Sequence, residues 1–245
     1  MLVRRALPSL FTVGNLFLGI ISIIVAFQSK FEWAALLVII GMLLDGLDGR
    51  VARALNAQSE FGKELDSLSD VISFGVAPAF IMYGVVLHEL GWVGTVITAI
   101  FPICGALRLA RFNVATGSTN YFIGLPITAA GGVLATLALY NELMPSPKIT
   151  LPLFMLFLAY LMVSNIKYPN FKKVGIPRST YYVVPAILIF VLVVFLYYPQ
   201  MVNRLIFLPL AFYALYGVFK KKGKKARKRN PADDDDYEPL EEVIK

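Results

Sequence analysis

The stretch WAALLVIIGMLLDGLDGRVARAL, residues 33–55, decides the fold, because it carries acidic side chains inside an apolar segment long enough to cross a bilayer. Asp45 lies 12 residues after Trp33, which is roughly 18 Å along a helix. With Trp33 at one interface, Asp45 falls within a hydrocarbon layer that is ~30 Å thick. A carboxylate at that depth must face a polar cavity or a cation, so it marks a functional site.

Four aspartates follow helical spacing in this stretch and the next. Asp45 and Asp48 are three residues apart, and Asp66 and Asp70 are four apart, so each pair shares a helix face. Two adjacent antiparallel helices would present all four carboxylates across one cleft. Such a cluster needs compensating positive charge in a low dielectric. Oxygen-only ligands suit hard ions, so the pattern predicts two divalent ions, Mg²⁺ or Mn²⁺.

The composition indicates a membrane protein. Of 245 residues, 58% are apolar and only 16% are charged, against about half and a quarter in soluble domains. The pattern therefore predicts an all-α, polytopic membrane helix bundle over residues 1–219 and a charged, disordered cytosolic tail over 220–245. About eight transmembrane helices are expected, over residues 8–28, 33–56, 66–87, 92–112, 122–141, 149–166, 180–198 and 201–219.

The positive charges predict the orientation of the chain. With the N-terminus in the cytosol, 20 of the 23 lysines and arginines fall on the cytosolic side. We therefore expect an integral protein of the cell membrane, with both termini and the active site facing the cytoplasm. The net charge of +7 reflects this topology and contact with membrane lipid, not nucleic acid. The single Cys104 and single His88 exclude an internal disulfide and a Cys- or His-based metal site.

Glycines, an alanine and an arginine accompany the aspartates at fixed positions. The pattern reads Asp45-x-x-Asp48-Gly49-x-x-Ala52-Arg53, then eight residues, then Gly62-x-x-x-Asp66-x-x-x-Asp70. It resembles the complete signature of the CDP-alcohol phosphotransferase family. The resemblance implies that family's fold and a membrane enzyme, commonly a homodimer, that cleaves a CDP-linked diphosphate. Such an enzyme releases CMP and joins the phosphoryl group to an alcohol.

The same resemblance implies roles for individual residues. Asp45, Asp48 and Asp66 would bind metal, and Asp70 would lie near the second ion and act as general base on the acceptor hydroxyl. A purely metal-binding Asp70 is the alternative, and the two roles can coexist. The residues implied to bind the CDP-lipid are Gly49, Ala52, Gly62 and, beside the diphosphate, Arg53.

Two polar residues of the first predicted span are further candidates for the CDP-lipid cleft. Thr12 and Asn15 lie three apart and share one helix face. An intramembrane threonine also commonly bonds its own helix, so a structural role for this pair stays open.

Three further stretches resemble the membrane-type phosphatidylserine synthases. They are LPSLFTVGNLFLGI at 7–20, GALRLARFNV at 105–114 with FIGLP at 122–126, and LMVSNIKYPNFKK at 161–173. This resemblance implies transfer of a phosphatidyl group from CDP-diacylglycerol, or from an ether-lipid equivalent, to L-serine.

Serine has a carboxylate, which arginine binds through paired hydrogen bonds. Arg108 and Arg111 lie three apart on one helix face, and Asn113 is close by, so we predict that these three bind serine. The arginines could instead set topology, or one could hold the lipid phosphate. Glycerol 3-phosphate and inositol phosphate stay open as acceptors. A divalent-cation transporter is disfavoured, because the neighbouring arginine would repel cations in a transport path.

Overall fold

A computed structural model describes residues 2–55, 57–114, 121–141 and 146–169 of the chain. The predicted spans over 180–198 and 201–219 and the tail over 220–245 lie outside the described residues. In order, the elements are α1 (Leu2–Phe27), α2 (Phe31–Ala54), α3 (Glu60–Asp70), a π-helical turn (Val71–Val76), α4 (Ala77–Val85), a 3₁₀ turn (Leu87–Leu90), α5 (Gly91–Val114), β1 (Tyr121–Ile123), α6 (Ile127–Ala138), α7 (Pro147–Val163) and β2 (Lys167–Pro169).

Within the described residues, three helical segments are long and apolar enough to cross a membrane: Ser9–Phe27, Glu60–Val85 and Leu87–Val114. The second contains α3, the π-helical turn and α4 in one run. At 24 residues α2 is as long as α5. Its C-terminal half is less apolar, because it contains Asp45, Asp48, Arg50 and Arg53. The helices α6 and α7 are shorter, with 12 and 17 residues. The helical membrane architecture agrees with the sequence interpretation, while the number of eight spans stays a prediction.

The third predicted span begins earlier in the structure than expected, at Glu60 instead of residue 66. Ser59 caps this helix, because its Oγ accepts a hydrogen bond from the backbone nitrogen of Gly62 at 3.0 Å. The cap starts the helix in a polar stretch where hydropathy alone gives no signal. Asp66 therefore lies two turns inside α3.

One short β-ladder interrupts the helical fold of the described residues. The strands β1 and β2 pair antiparallel, with Phe122 opposite Tyr168. The ladder continues into Gly124, whose nitrogen donates to the carbonyl oxygen of Ile166 at 2.9 Å. Gly124 has φ +76°, and a Cβ there would collide with the carbonyl oxygen of Met162. Only glycine accommodates both the positive φ and this close approach.

The first helix turns its small and polar residues toward the protein. Its buried positions follow the 3–4 spacing of a single helix face; they are Thr12, Asn15, Gly19, Ser22 and Ala26. Large apolar side chains such as Leu10, Phe17 and Ile24 are exposed on the opposite side. Membrane helices pack through small residues and turn bulky ones to lipid. This face of α1 therefore packs against α2 and α3 and lines the site.

Close glycine contacts hold the π-helical turn in the middle of the bundle. A Cβ on Gly19 of α1 would collide with Ser73, and a Cβ on Gly131 of α6 would collide with the backbone of Phe74. Two helices thus approach Val71–Val76 at backbone distance from different sides. The turn that follows Asp70 is thereby fixed in place.

We expect Gly131→Ala to destabilise the protein by about 1–3 kcal/mol, because the added methyl group overpacks a backbone contact. Gly14→Ala is the matched control, since its Cβ would meet only Leu44 Cδ1 at 3.6 Å, an ordinary van der Waals contact. Thermal unfolding in detergent measures both variants. Equal unfolding temperatures for the two would contradict the proposed close packing.

Candidate active site

The aspartates of α2 and α3 converge. One carboxylate oxygen from each of Asp45, Asp48 and Asp66 lies within 4.8 Å of the others. Asp48 is buried, and the other two are partly buried. Both helices pack against α1, and the connection between Ala54 and Glu60 is short, so the acidic side chains of α2 and α3 approach one another beside α1. The structure thus brings together three of the four aspartates that the sequence predicts to share one cleft.

Asp70 lies at the end of α3, immediately before the π-helical turn. Its side chain is 7% exposed, and its Oδ1 has no hydrogen-bond partner among the described residues. The three clustered aspartates repel this carboxylate, and the guanidinium of Arg108 attracts it. Single π-helical turns are frequent at functional sites. The carboxylate of Asp70 is therefore buried beside the cluster with one oxygen atom still able to accept a proton or bind a ligand.

Thr12 holds one of the clustered carboxylates. Its Oγ1 donates a hydrogen bond to Oδ2 of Asp48 at 3.0 Å. This bond restricts the Asp48 side chain within the cluster that it forms with Asp45 and Asp66. Thr12 thus orients an acidic group, a role that polar neighbours commonly have around metal ligands.

Asn15 lies one helical turn after Thr12 and is completely buried. Neither polar atom of its amide has a hydrogen-bond partner among the described residues. The amide faces α2 at Gly41, where a Cβ would come within 2.8 Å of Asn15 Oδ1. Gly41 is one turn from Asp45 on the same face of α2. Asn15 therefore contributes a buried polar group beneath the cluster, and the absence of a side chain at Gly41 makes room for it.

The glycines, the alanine and the arginine of the signature form a rim beside the aspartates, which is exposed at Arg53 and partly buried at Gly49, Ala52 and Gly62. Arg53 is exposed, and its guanidinium lies beside Gly49, where a Cβ would be 3.5 Å from Nη1. Ala52 is partly buried, and Gly62 is in the first turn of α3. The small residues keep the backbone accessible, and Arg53 adds a cation near it.

Arg108 and Arg111 occupy different environments, although both are on the last turns of α5. Arg108 is 6% exposed, attracts Asp70 and lies 6.0 Å from the ring centre of Phe112. The guanidinium of Arg111 instead donates to the end of α7 and to β1. Its acceptors are the carbonyl oxygens of Val163, Ile123, Ser164 and Met162, at 3.0, 3.4, 3.4 and 3.5 Å, and Oδ1 of Asn165 at 3.2 Å.

Asn113 also bonds within the protein. Its Nδ2 donates to Ser67 Oγ at 2.9 Å and to Glu64 Oε2 at 3.4 Å. The backbone carbonyl oxygen of Asn113 accepts a hydrogen bond from Lys63 Nζ at 3.4 Å. These bonds join the end of α5 to α3. The sequence predicts a site role for Asn113 but not for Ser67 and Glu64, for which the available signal is their position on the helix that carries Asp66.

The donor set fits a hard divalent cation. Three carboxylate oxygens are close enough to share an ion, and all three are the oxygen ligands that Mg²⁺ and Mn²⁺ prefer. Asp70, whose carboxylate these three groups repel, has a buried Oδ1 with no hydrogen-bond partner in the described part of the chain. No histidine or cysteine belongs to this group in the described part of the chain, which disfavours a softer metal.

An acidic cluster that could hold a divalent cation, set among apolar helices with a buried arginine near it, is compatible with a membrane-embedded enzyme acting on phosphate groups. The sequence model of the CDP-alcohol phosphatidyltransferase family matches residues 5–166. This match covers more than half of the chain and includes every residue of the cleft. The chain belongs to this family.

Curated relatives include serine phosphatidyltransferases. The chain is 47% identical over 173 residues to the CDP-diacylglycerol–serine O-phosphatidyltransferase of Helicobacter pylori, covering 68% of this chain and 73% of the relative. It is 40% identical over 168 residues to the enzyme of that name from Bacillus subtilis, covering 68% and 92%. It is also 37% identical over 175 residues to the archaetidylserine synthase of Methanothermobacter thermautotrophicus, covering 69% and 72%.

We expect Thr12→Val to weaken Mn²⁺ binding by about 10- to 100-fold, because Asp48 loses the hydrogen bond that orients it. Thr12→Ser keeps the hydroxyl and should bind Mn²⁺ nearly as well as the unmodified protein. Titration of free Mn²⁺ followed by electron paramagnetic resonance measures the affinity without turnover. The same affinity for the valine and serine variants would show that this hydrogen bond does not support cation binding.

Proposed function

We propose that the chain transfers the phosphatidyl group of CDP-diacylglycerol, or of an ether-lipid equivalent, to the hydroxyl of L-serine, giving phosphatidylserine and CMP. The observation that carries this proposal is the convergence of Asp45, Asp48 and Asp66 beside the buried Asp70. The family assignment and the names of the relatives support the reaction class and the acceptor.

The four aspartates would hold two Mg²⁺ or Mn²⁺ ions, with Asp70 nearest the second. When bound, such ions neutralise the diphosphate and stabilise the negative charge that develops on the departing CMP. The carboxylates themselves fix the place of the diphosphate at the cytosolic ends of α2 and α3. They also keep the phosphate that carries the lipid within reach of Asp70.

Asp70 acts as the general base. Its buried Oδ1 has no hydrogen-bond partner among the described residues, so it can accept the proton of the serine hydroxyl. The serine oxygen then forms a bond to the phosphorus attached to the lipid, and the bond from that phosphorus to the oxygen of CMP breaks. A carboxylate that accepts a hydroxyl proton has this role in other phosphoryl transfers.

The CDP-lipid binds along the rim and the first helix. Gly49, Ala52 and Gly62 would let the nucleotide approach the helix backbone, and Arg53 would pair with its phosphates. Thr12 acts through Asp48, to which it donates. The amide of Asn15, fully buried at the base of the cleft, would contribute a polar contact at the lipid end.

Arg108 is the arginine that we assign to serine binding. It is buried and its charge attracts Asp70, so a carboxylate held by its guanidinium would place the attached hydroxyl close to the base. Arg111 and Asn113, which the sequence groups with it, support the same wall of the site through their bonds to α7 and α3.

The site would face the cytoplasm, in a homodimer with eight spans per subunit and both termini inside. The distribution of lysine and arginine supports this orientation, since 20 of 23 fall on one side under that topology. The lipid tails would enter sideways from the bilayer, and serine would enter from the cytosol.

Purified protein with CDP-diacylglycerol, Mg²⁺ or Mn²⁺, and a panel of alcohols tests the activity. We expect CMP release with L-serine and little with glycerol 3-phosphate, inositol phosphate or no acceptor. Asp70→Asn should lower kcat by at least about 100-fold. If another alcohol gives faster CMP release than serine, that alcohol is the acceptor. Metal flux into liposomes without CMP release would indicate a transporter instead.

Arg108→Ala should raise the KM for serine by roughly 10-fold or more, because a charge-assisted hydrogen bond contributes about 1.5–3 kcal/mol. Binding of the CDP-lipid should change much less. Steady-state kinetics with each substrate varied in turn separates the two effects. If the KM for the CDP-lipid rises as much as that for serine, Arg108 holds the lipid phosphate and not the serine carboxylate.

A further inference from the structure

The cytosolic end of α5 is tied to its neighbours on two sides. On one side, Arg111 donates to three carbonyl groups around the end of α7 and to Ile123 of β1. The last carbonyls of a helix lack partners within it, and a guanidinium with five donors can satisfy several of them at once. Arg111 therefore acts as a cap for α7 and as a link between α7, β1 and α5.

On the other side, Asn113 joins α5 to α3. Its amide bonds to Ser67 and Glu64, and its carbonyl accepts from Lys63. Ser67 directly follows Asp66, so this tie reaches the helix that carries the acidic cluster. The end of α5 is thus fixed both toward the carboxylates and toward α7.

Arg108 is one turn before Arg111 on the same helix. Its own guanidinium is buried and attracts Asp70. A side chain this deeply buried has little freedom of its own. The position of the Arg108 guanidinium therefore depends on how α5 is rotated about its axis and shifted along it. The hydrogen bonds of Arg111 and Asn113 fix both quantities at this end of α5, in addition to the packing of α5 along α7 and the π-helical turn.

We propose that Arg111 is a positioning residue for Arg108: it locks the end of α5 to α7 and β1 so that the Arg108 guanidinium is held beside Asp70. Arg111 then affects the acceptor substrate through Arg108 and does not touch it. The inference rests on the proposed function for the identity of the acceptor and for the role of Arg108 in binding it.

A double-mutant cycle separates this role from direct binding. Residues that act through one another give non-additive effects, whereas two independent contacts to one substrate give effects that multiply. We expect Arg111→Ala alone to lower kcat/KM for serine by about 10-fold. In an Arg108→Ala background the same change should lower it by less than about 2-fold. Arg108→Lys provides a second background if turnover of the alanine variant is too slow to measure.

Three further variants sharpen the test. Arg111→Lys should recover only part of the loss, because a single ammonium cannot span carbonyls on two segments. Asn165→Ala removes one acceptor of Arg111 and should give a smaller effect that also vanishes in the Arg108→Ala background. Lys148→Ala breaks the ion pair with Glu89 at the opposite end of α7, so it is the matched control and should leave the serine KM unchanged.

Losses from Arg108→Ala and Arg111→Ala that multiply in the double variant would overturn the proposal and assign both arginines to the substrate. Thermal unfolding in detergent identifies any variant that fails to fold, and Asn165→Ala then carries the test. If the unmodified protein prefers another alcohol, the proposed function fails, but the cycle measured with that alcohol still decides the role of Arg111.

Discussion

Acidic groups inside an apolar layer must be solvated by something other than water, and desolvating an unpaired ion costs several kcal/mol. Asp45, Asp48, Asp66 and Asp70 are all placed in this situation by the faces of α2 and α3. Their arrangement makes sense only around positive charge, and the neighbouring parts of the fold supply it or make room for it. Arg108 approaches from α5, Thr12 donates to Asp48 from α1, and three carboxylates come close enough to share a cation.

Bringing these elements together requires backbones to pack closely around the cluster. The glycines that allow it lie beside the π-helical turn, at Gly19 and Gly131, and one turn from Asp45, at Gly41. Helices in lipid gain little from burying large apolar side chains, so close contact between small residues takes over that role. The small residues of this bundle therefore determine where the carboxylates of α3 stand relative to α2.

The acidic half of the site could be predicted from sequence, because spacings of three and four residues fix a helix face without knowledge of the tertiary fold. The six helical regions up to residue 166 were predictable for a similar reason. The roles of Arg111 and Asn113 could not be predicted, because their side chains bond to residues far away in the sequence. Arg111 donates to Asn165, 54 residues away, and Asn113 donates to Ser67, 46 residues away. The β-ladder and the Ser59 cap were also missed, because hydropathy carries no information about pairing or capping.

The two halves of the cleft thus differ in how far apart in the sequence their parts lie. The carboxylates come from two consecutive helices joined by a short connection, so the groups that we propose to act on the diphosphate form one local unit. The arginine facing them is held by contacts that join α5 to α3, α7 and β1. A substitution in α7 or β1 can therefore shift Arg108 while leaving the aspartates where they are. This separation allows the acceptor side of such a site to change without disturbing the chemistry at phosphorus.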